Sequence, residues 1–335
     1  MHISIKIPVG KNQHSQERYN SMADNKNGNS CVILLGMGGP DSLDDIKSFL
    51  FNIFSDREII QLPGGALFQK PFAKLISQLR YKNVQHNYSL IGGSSPLLKW
   101  TQSQKEHLEF IISPLHTPFE VFIGMRYFTP TIEHSIEKAI QAGFKNIIFL
   151  PMYPQYCKAT TGSSFSEAKR VLQKHPGITA TYINDFHQNQ EFLTLLKSYI
   201  DTNIHDDETL FFSAHSIPQK FVAQGDPYVS QVEYVAKHVA GDREYILSYQ
   251  SRTGPVAWVG PDTVDEAKRL IAEGKKIFIV PISFVCDHIE TMFELDIELK
   301  ELVGNSTNIR RMPMFNDDRN FGSILANIVL EKLNE

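Results

Sequence analysis

The sequence predicts an α/β protein of two similar lobes, each a parallel sheet flanked by helices, around a central cleft. Three observations carry this. At 335 residues and 42% apolar, the chain is long enough for two cores. From Cys31 onward, short apolar runs alternate with helix-like segments. One stretch of the first half also recurs in the second: IIFLPMYPQYCKATTGSSFSEAKRVLQ from Ile147 matches IFIVPISFVCDHIETMFELDIELKELV from Ile277, with Pro151 opposite Pro281 and Thr161 opposite Thr291.

Taken in order, residues 1–30 form a polar, Asn-rich leader that reads as a disordered tail. Strands are expected at 31–36, 120–125, 146–151 and 179–184, then at 209–214, 244–249, 276–281 and 309–314. Glu120 corresponds to Glu244, and the turn Met37-Gly-Gly-Pro40 to His215-Ser-Ile-Pro218. The lobes are therefore assigned to 31–190 and 191–335, with a final amphipathic helix expected to pack back on the first lobe. Open parallel sheets bind ligands beyond the carboxyl ends of their strands. Met37, Arg126, Tyr153, His215, Tyr249 and the segment from Phe284 to Glu290 should therefore gather at the cleft.

Composition excludes several function classes. The net charge is −4 and no dense Lys/Arg cluster follows a phosphate backbone, so nucleic acid is not a partner. The three cysteines, Cys31, Cys157 and Cys286, are scattered, which argues against a disulfide framework or a four-thiolate metal site and fits a reducing cytoplasm. No run approaches the roughly 18 apolar residues of a membrane span. A cytoplasmic monomer is expected, in contact with the membrane at most peripherally.

The turn GMGGP lacks the third glycine of a dinucleotide fingerprint, and Ser42-Leu-Asp-Asp45 reads as a capping box that opens a helix. Met37 either projects into the cleft or fills core. At the matching place, LFFSAHSIP ends an apolar strand on His215, whose imidazole can take protons or bind a divalent metal; burial with a backbone partner is the blander alternative. In DHIETMFELDIE, Glu290, Glu294 and Glu298 fall at i, i+4 and i+8, lining three carboxylates along one helix face. Such a row calls for basic partners or a cation, and oxygen ligands in file suit a divalent ion in transit. Between 59 and 96, the run IIQLPGGALFQKPFAKLISQL would form a greasy lip if exposed, and Arg80, Tyr88 and Ser95 supply donors suited to carboxylates. The TTGSS segment at 160–164 reads as helix N-capping more readily than as an anion site.

Together the pieces LLGMGGP, QLP with its lip, Tyr88 to GGSSPL, GMRYFTPTIE, PMYPQYCKATTGSS, SAHSIP, SYQSRTGPVAWVGP and SFVCDHIETMFELD resemble the ferrochelatase family from residue 31 to about 318. The resemblance implies two Rossmann-like lobes in a chelatase-like arrangement, and insertion of Fe²⁺ into protoporphyrin IX to form protoheme. It also implies that His215 and Glu290 are the catalytic pair on opposite sides of the macrocycle, with His215, Glu290, Glu294 and Glu298 handling the metal. Asp287 and His288 would support that site, Met37, Arg126, Tyr127 and Phe284 would line it, and Arg80, Tyr88 and Ser95 would reach the propionates. Either member of the pair could take protons or deliver metal. Met37 stands where the coproporphyrin-using branch has Tyr, which points to protoporphyrin. The end at Glu335 lacks a Cys-bearing extension, so no iron–sulfur cluster and no tightly bound cofactor is expected, iron being a substrate. The rival readings are a cobalt chelatase of cobalamin or sirohaem synthesis, disfavoured by the apolar lip, and a non-enzymatic haem carrier.

Overall fold

The computed structural model describes residues 29–60, 62, 64–116, 118–304 and 307–335. Strands β1 (Ser30–Gly36), β2 (Phe119–Met125), β3 (Asn146–Pro151) and β4 (Thr179–Tyr182) form one sheet in the order β2-β1-β3-β4. Strands β5 (Glu208–His215), β6 (Tyr245–Gln250), β7 (Lys276–Pro281) and β8 (Ile309–Arg311) form the second, in the equivalent order β6-β5-β7-β8. Every pairing is parallel. The eight expected strands are all present, although those expected over 179–184 and 309–314 stop at Tyr182 and Arg311. The tail expected over 1–30 lies outside the described residues as far as 28, and Ser30 already belongs to β1.

Register makes the internal repeat explicit. Leu35 pairs with Pro151, and Ser213 pairs with Pro281. Met37 and His215 therefore follow the two central strands at the same position. Two buried backbone bonds repeat as well: Met125 N–H donates to Pro130 O at 2.7 Å, and Tyr249 N–H to Pro261 O at 2.8 Å.

Helices α1 (Ile46–Ser55), α2 (Gly65–Leu90), α3 (Leu97–Ile112), α4 (Ile132–Gln141) and α5 (Ser163–Leu172) accompany the first sheet. Helices α6 (Gln190–Asn203), α7 (Gln219–Ala223), α8 (Tyr228–Ala240), α9 (Thr263–Ala272), α10 (Leu299–Leu302) and α11 (Arg319–Leu333) accompany the second. Equivalent helices α4 and α9 are capped alike: Thr131 accepts from His134 N–H, and Asp262 from Val264 and Asp265 N–H. The Ser42 hydroxyl, by contrast, bonds the Asp45 carboxylate at 2.7 Å and caps no backbone group; the expected capping box is a short 3₁₀ turn over Leu43–Asp45.

Strand alternation divides the core into layers. Cys31, Ile33 and Leu35 face an outer core with α4 and α5, while Phe211, Ile277 and Ile279 face another with α9. Val32 and Leu34 of the first sheet and Leu210, Phe212, Phe278 and Val280 of the second enter one shared central cluster. Helices α3, α6, α8 and α11 contribute to the same cluster. Helix α11 crosses from the second lobe to lie against α3 of the first, with Gln104 donating to Asn316 O at 2.9 Å.

Two segments depart from α geometry. Each central lobe strand pair leads, through Pro151 or Pro281, into a wider π-helical turn: Lys158–Gly162 in the first lobe and Glu290–Glu298 in the second. Such turns are uncommon and recur at functional sites.

Candidate active site

Strand β5 ends on His215, and the second π-helical segment begins at Glu290. Their nearest atoms, His215 Nε2 and Glu290 Oε1, are 3.5 Å apart. A planar macrocycle inserted between them would need about 7 Å, two van der Waals gaps of roughly 3.5 Å. At this separation no ring fits between the two side chains, against the expectation that they flank opposite faces.

Each oxygen of Glu290 has its own imidazole. His288 Nε2 lies 3.1 Å from Oε2, opposite His215 at Oε1. Both rings give their other nitrogen to the main chain: His215 Nδ1 donates to Ser216 O at 2.5 Å, and His288 Nδ1 to Cys286 O at 3.1 Å. That arrangement keeps the Nδ1 proton on each ring and turns its Nε2 toward the carboxylate, to which Nε2 donates when the ring is protonated. Phe284 meets the edge of the His288 ring, centroids 4.4 Å apart.

The positive character of these imidazoles holds the partly buried Glu290 below the usual carboxylate range against the opposing effect of burial. Glu294 goes the other way, pushed up to about 7 by burial and by the charge of Glu290. Its carboxylate accepts from the Ser251 hydroxyl and from Gln250 Nε2, the latter at 3.3 Å. Gln250 also donates to Glu290 O at 3.2 Å, tying the two turns together. Ser251 holds a left-handed backbone, φ 65°, which a residue other than glycine adopts at a cost when the surroundings require it.

The acidic row does not lie on an ordinary helix face. Its winding is π-helical throughout, and Glu298, at the outer end, is exposed and bonded to none of the other three metal candidates. Among the described residues no group of three or more His, Cys, Asp or Glu side chains is arranged to hold a metal ion. His215 and Glu290 touch, Glu294 adjoins them, and Glu298 stands apart.

The remaining candidates fall into three places. Asp287 lies behind the pair, accepting from the Thr291 hydroxyl at 3.0 Å and from Asn316 Nδ2 at 2.8 Å. Met37 is half-buried on the first lobe, and its backbone N–H bonds the Tyr153 hydroxyl, which burial and nearby Glu290 push above its ordinary range. Arg126 and Tyr127 converge on a residue that pattern reading passed over, Asp56. Its Oδ2 accepts from Arg126 Nη2 at 2.8 Å, from the Tyr127 hydroxyl at 2.7 Å and from Ser163 Oγ at 2.6 Å. These donors hold the Asp56 carboxyl below its ordinary range despite burial. Ser163 thus serves Asp56 and caps no helix; the residues before it continue from the π-helical turn, and the expected N-cap at 160–164 is replaced.

Tyr88 and Ser95 meet beside Gly39, while Arg80 packs elsewhere. Arg80 is exposed on α2 with its guanidinium over the Phe54 ring, 5.6 Å from the centroid. Tyr88 is buried beside Ile289, and Ser95 backs the GMGGP turn, donating its N–H to Pro40 O at 2.8 Å. A Cβ on Gly39 would sit 2.4 Å from Ser95, which is why glycine stands there. On the outward side of α2, Leu67, Phe68, Leu75 and Leu79 are 82%, 49%, 50% and 72% exposed.

A family model described as ferrochelatase matches residues 29–333. A relative named ferrochelatase from Gloeothece citriformis is 40% identical over 320 residues, covering 91% of this chain and 82% of its own length. Another so named, from Geotalea daltonii, is 40% identical over 314 residues, 90% of this chain and 97% of its own. Among solved structures, SirB from Bacillus subtilis with Fe³⁺ matches with a TM-score of 0.55 at 15% identity, over 91% of this chain and 96% of its own; at that identity the likeness concerns the fold alone.

Proposed function

The chain belongs to the ferrochelatase family, and on that premise we propose that the cluster of Glu290 with His215 and His288 is where its reaction takes place. The reaction is insertion of ferrous iron into protoporphyrin IX, which yields protoheme and releases the two pyrrole protons. The observation that carries the site assignment is the pair of Nε2 atoms at 3.5 and 3.1 Å from the two oxygens of one carboxylate. Both rings hold their Nδ1 proton against the main chain, so each Nε2 donates to Glu290 while the ring is protonated and has a lone pair for a pyrrole proton or Fe²⁺ only when the ring is neutral.

Metallation requires the pyrrole nitrogens to turn their lone pairs out of the ring plane. A cleft that binds a bent ring favours the geometry on the way to the transition state. We assign the second lobe's pair to one face of the ring and Met37, the register counterpart of His215, to the other. Neighbouring carboxylates with separated protonation behaviour suit acid–base work: Glu290 stays ionised, while Glu294, near 7, can receive a proton and pass it toward the exposed Glu298. Arg126 and Tyr127 with Phe284 and Asp287 complete the surroundings, and Arg80, Tyr88 and Ser95 are assigned to the propionate side.

We further assign the protein to the cytoplasm as a monomer that needs no resident cluster. Burial pushes the Cys31 and Cys157 thiols up to about 12, which makes them poor thiolate donors. Among the described residues no helix is long and apolar enough to cross a membrane. Helix α2 carries Lys70, Lys74, Arg80 and Lys82 with no Asp or Glu beside its exposed leucines, a composition suited to peripheral contact with an anionic bilayer surface.

Anaerobic incubation with Fe²⁺ and protoporphyrin IX in detergent, followed by the porphyrin spectrum, tests the assignment. Wild type should give metalloporphyrin, and His215→Ala and Glu290→Gln should not while still binding porphyrin. Full activity in either variant removes that residue from the assignment; tight haem binding without any metallation favours a carrier.

A further inference from the structure

The nine-residue π-helical segment that carries Glu290 and Glu294 needs something to sustain it, because wide turns seldom persist beyond a single one. One guanidinium reaches both its approach and its interior. Arg311, at the end of β8, bonds Asp296 with both arms of its fork, Nε to Oδ1 at 3.0 Å and Nη2 to Oδ2 at 2.8 Å. The same Nη2 lies 3.0 Å from Oδ1 of Asp287, three residues before Glu290. Asn316, in a left-handed backbone at φ 45°, holds Asp287 from behind, accepting its N–H and donating to its Oδ2, each at 2.8 Å. The Arg311 side chain is only 11% exposed, so the bonds are shielded from competing water.

The first lobe supplies an internal control. By register, Phe149 pairs with Tyr182 where Ile279 pairs with Arg311, so Tyr182 is the counterpart of the arginine. Counting from the strand-end prolines, Asp287 corresponds to Cys157 and Asp296 to Ser166. All three members of the clamp are missing there. The wide turn of that lobe accordingly ends after five residues, at Gly162, and α5 begins at once.

We infer that Arg311 is a positioning residue for metallation, which through Asp287 and Asp296 sustains the π winding and so keeps Glu290 and His288 turned toward His215. A lysine cannot reproduce the contact, since the geometry uses a planar fork with donors in two directions. The inference rests on the assignment of Glu290 to catalysis.

The test uses the full chain with Arg311→Met, Arg311→Lys and Asp296→Asn. Steady-state metallation should show kcat lower by about 10–100-fold in Arg311→Met, as is typical for groups that orient metal-handling residues, with KM for porphyrin nearly unchanged. Arg311→Lys should recover only a minor part. Hydrogen exchange should rise selectively in amides 290–298. Asp296→Asn, which leaves the Asp287 contact in place, should move both readouts in the same direction by less and serves if the Met variant does not fold. Wild-type kcat in a folded variant overturns the inference. So does unchanged exchange across 290–298, or a rise spread evenly over the chain. Because exchange reports the winding whatever Glu290 does, failure of the clamp is distinguishable from failure of the Glu290 assignment, which full turnover in Glu290→Gln would reveal.

Discussion

The two lobes share strand order, register and even a π-helical turn after the third strand, yet they differ at the positions to which we assign the chemistry. Where the second lobe has His215, Glu290 and Glu294, the first has Met37, Thr160 and Ser164. A parallel sheet followed by a wide turn thus brings a strand end and a helix start together in both lobes, and the side chains placed there are what differ. Polar groups in the first lobe are organised otherwise, around Asp56, where each donor is satisfied within the protein.

The comparison breaks first on turnover. His215→Ala and Glu290→Gln should each lower kcat by about 10²–10⁴-fold, the range for removing a positioned acid–base group, while porphyrin fluorescence quenching still reports binding. Thr160→Val at the matching place should keep wild-type turnover; a loss as large as that of Glu290→Gln would mean both lobes act chemically. Next comes Asp56. Removing its charge leaves Arg126 facing a weaker partner in a site where the carboxylate is 6% exposed, so Asp56→Asn should cost about 3–5 kcal/mol in urea unfolding. A change under about 1 kcal/mol would show the first-lobe network to be dispensable.

Glu294 gives a smaller, pH-dependent effect. Its folded pKa, about 7, lies above the ordinary 4.5, so between those values the unfolded chain has already lost a proton that the folded chain keeps. Stability therefore falls as pH rises across that window. Glu294→Gln should be more stable than wild type above pH 7, on the order of 3 kcal/mol at about 1.4 kcal/mol per unit, and equal to it near pH 4. Parallel melting curves at all pH values would refute the raised pKa. Smallest is the lip: replacing exposed Leu67 and Leu79 by Ser should weaken sedimentation with phosphatidylserine vesicles several-fold and leave detergent-phase turnover intact. Equal binding by both proteins would remove α2 from membrane contact.

How much of this was legible in the sequence follows from how local each signal is. Strands such as Cys31–Gly36 and Ile277–Pro281 advertise themselves, because both faces are buried and the residues are apolar without interruption. The Glu row could be read from its spacing, and His215 from its place at a strand end. The winding could not: Arg311 and Asn316 lie more than twenty residues beyond Glu290, and nothing in a periodic pattern links them. Asp56 was invisible for the same reason, a lone acid in FNIFSDREII whose partners come from two other segments. The placement of His215 and Glu290 on opposite faces came from the family resemblance, and only distance in three dimensions corrects it.

The central hydrophobic cluster has a consequence for motion. Binding proteins made of two lobes commonly close like a clamshell about flexible connectors, which requires an interface that can part. Here Val32, Leu34 and Leu150 share one dry cluster with Phe212, Phe278 and Phe321, and α11 is laid across the seam. Swinging the lobes apart would expose that cluster to water, a cost that opposes clamshell opening. Exchange of a flat, apolar substrate then falls to rim side chains and to the lip helix, and turnover should respond to changes at the rim far more than to any stiffening of the connection between the sheets.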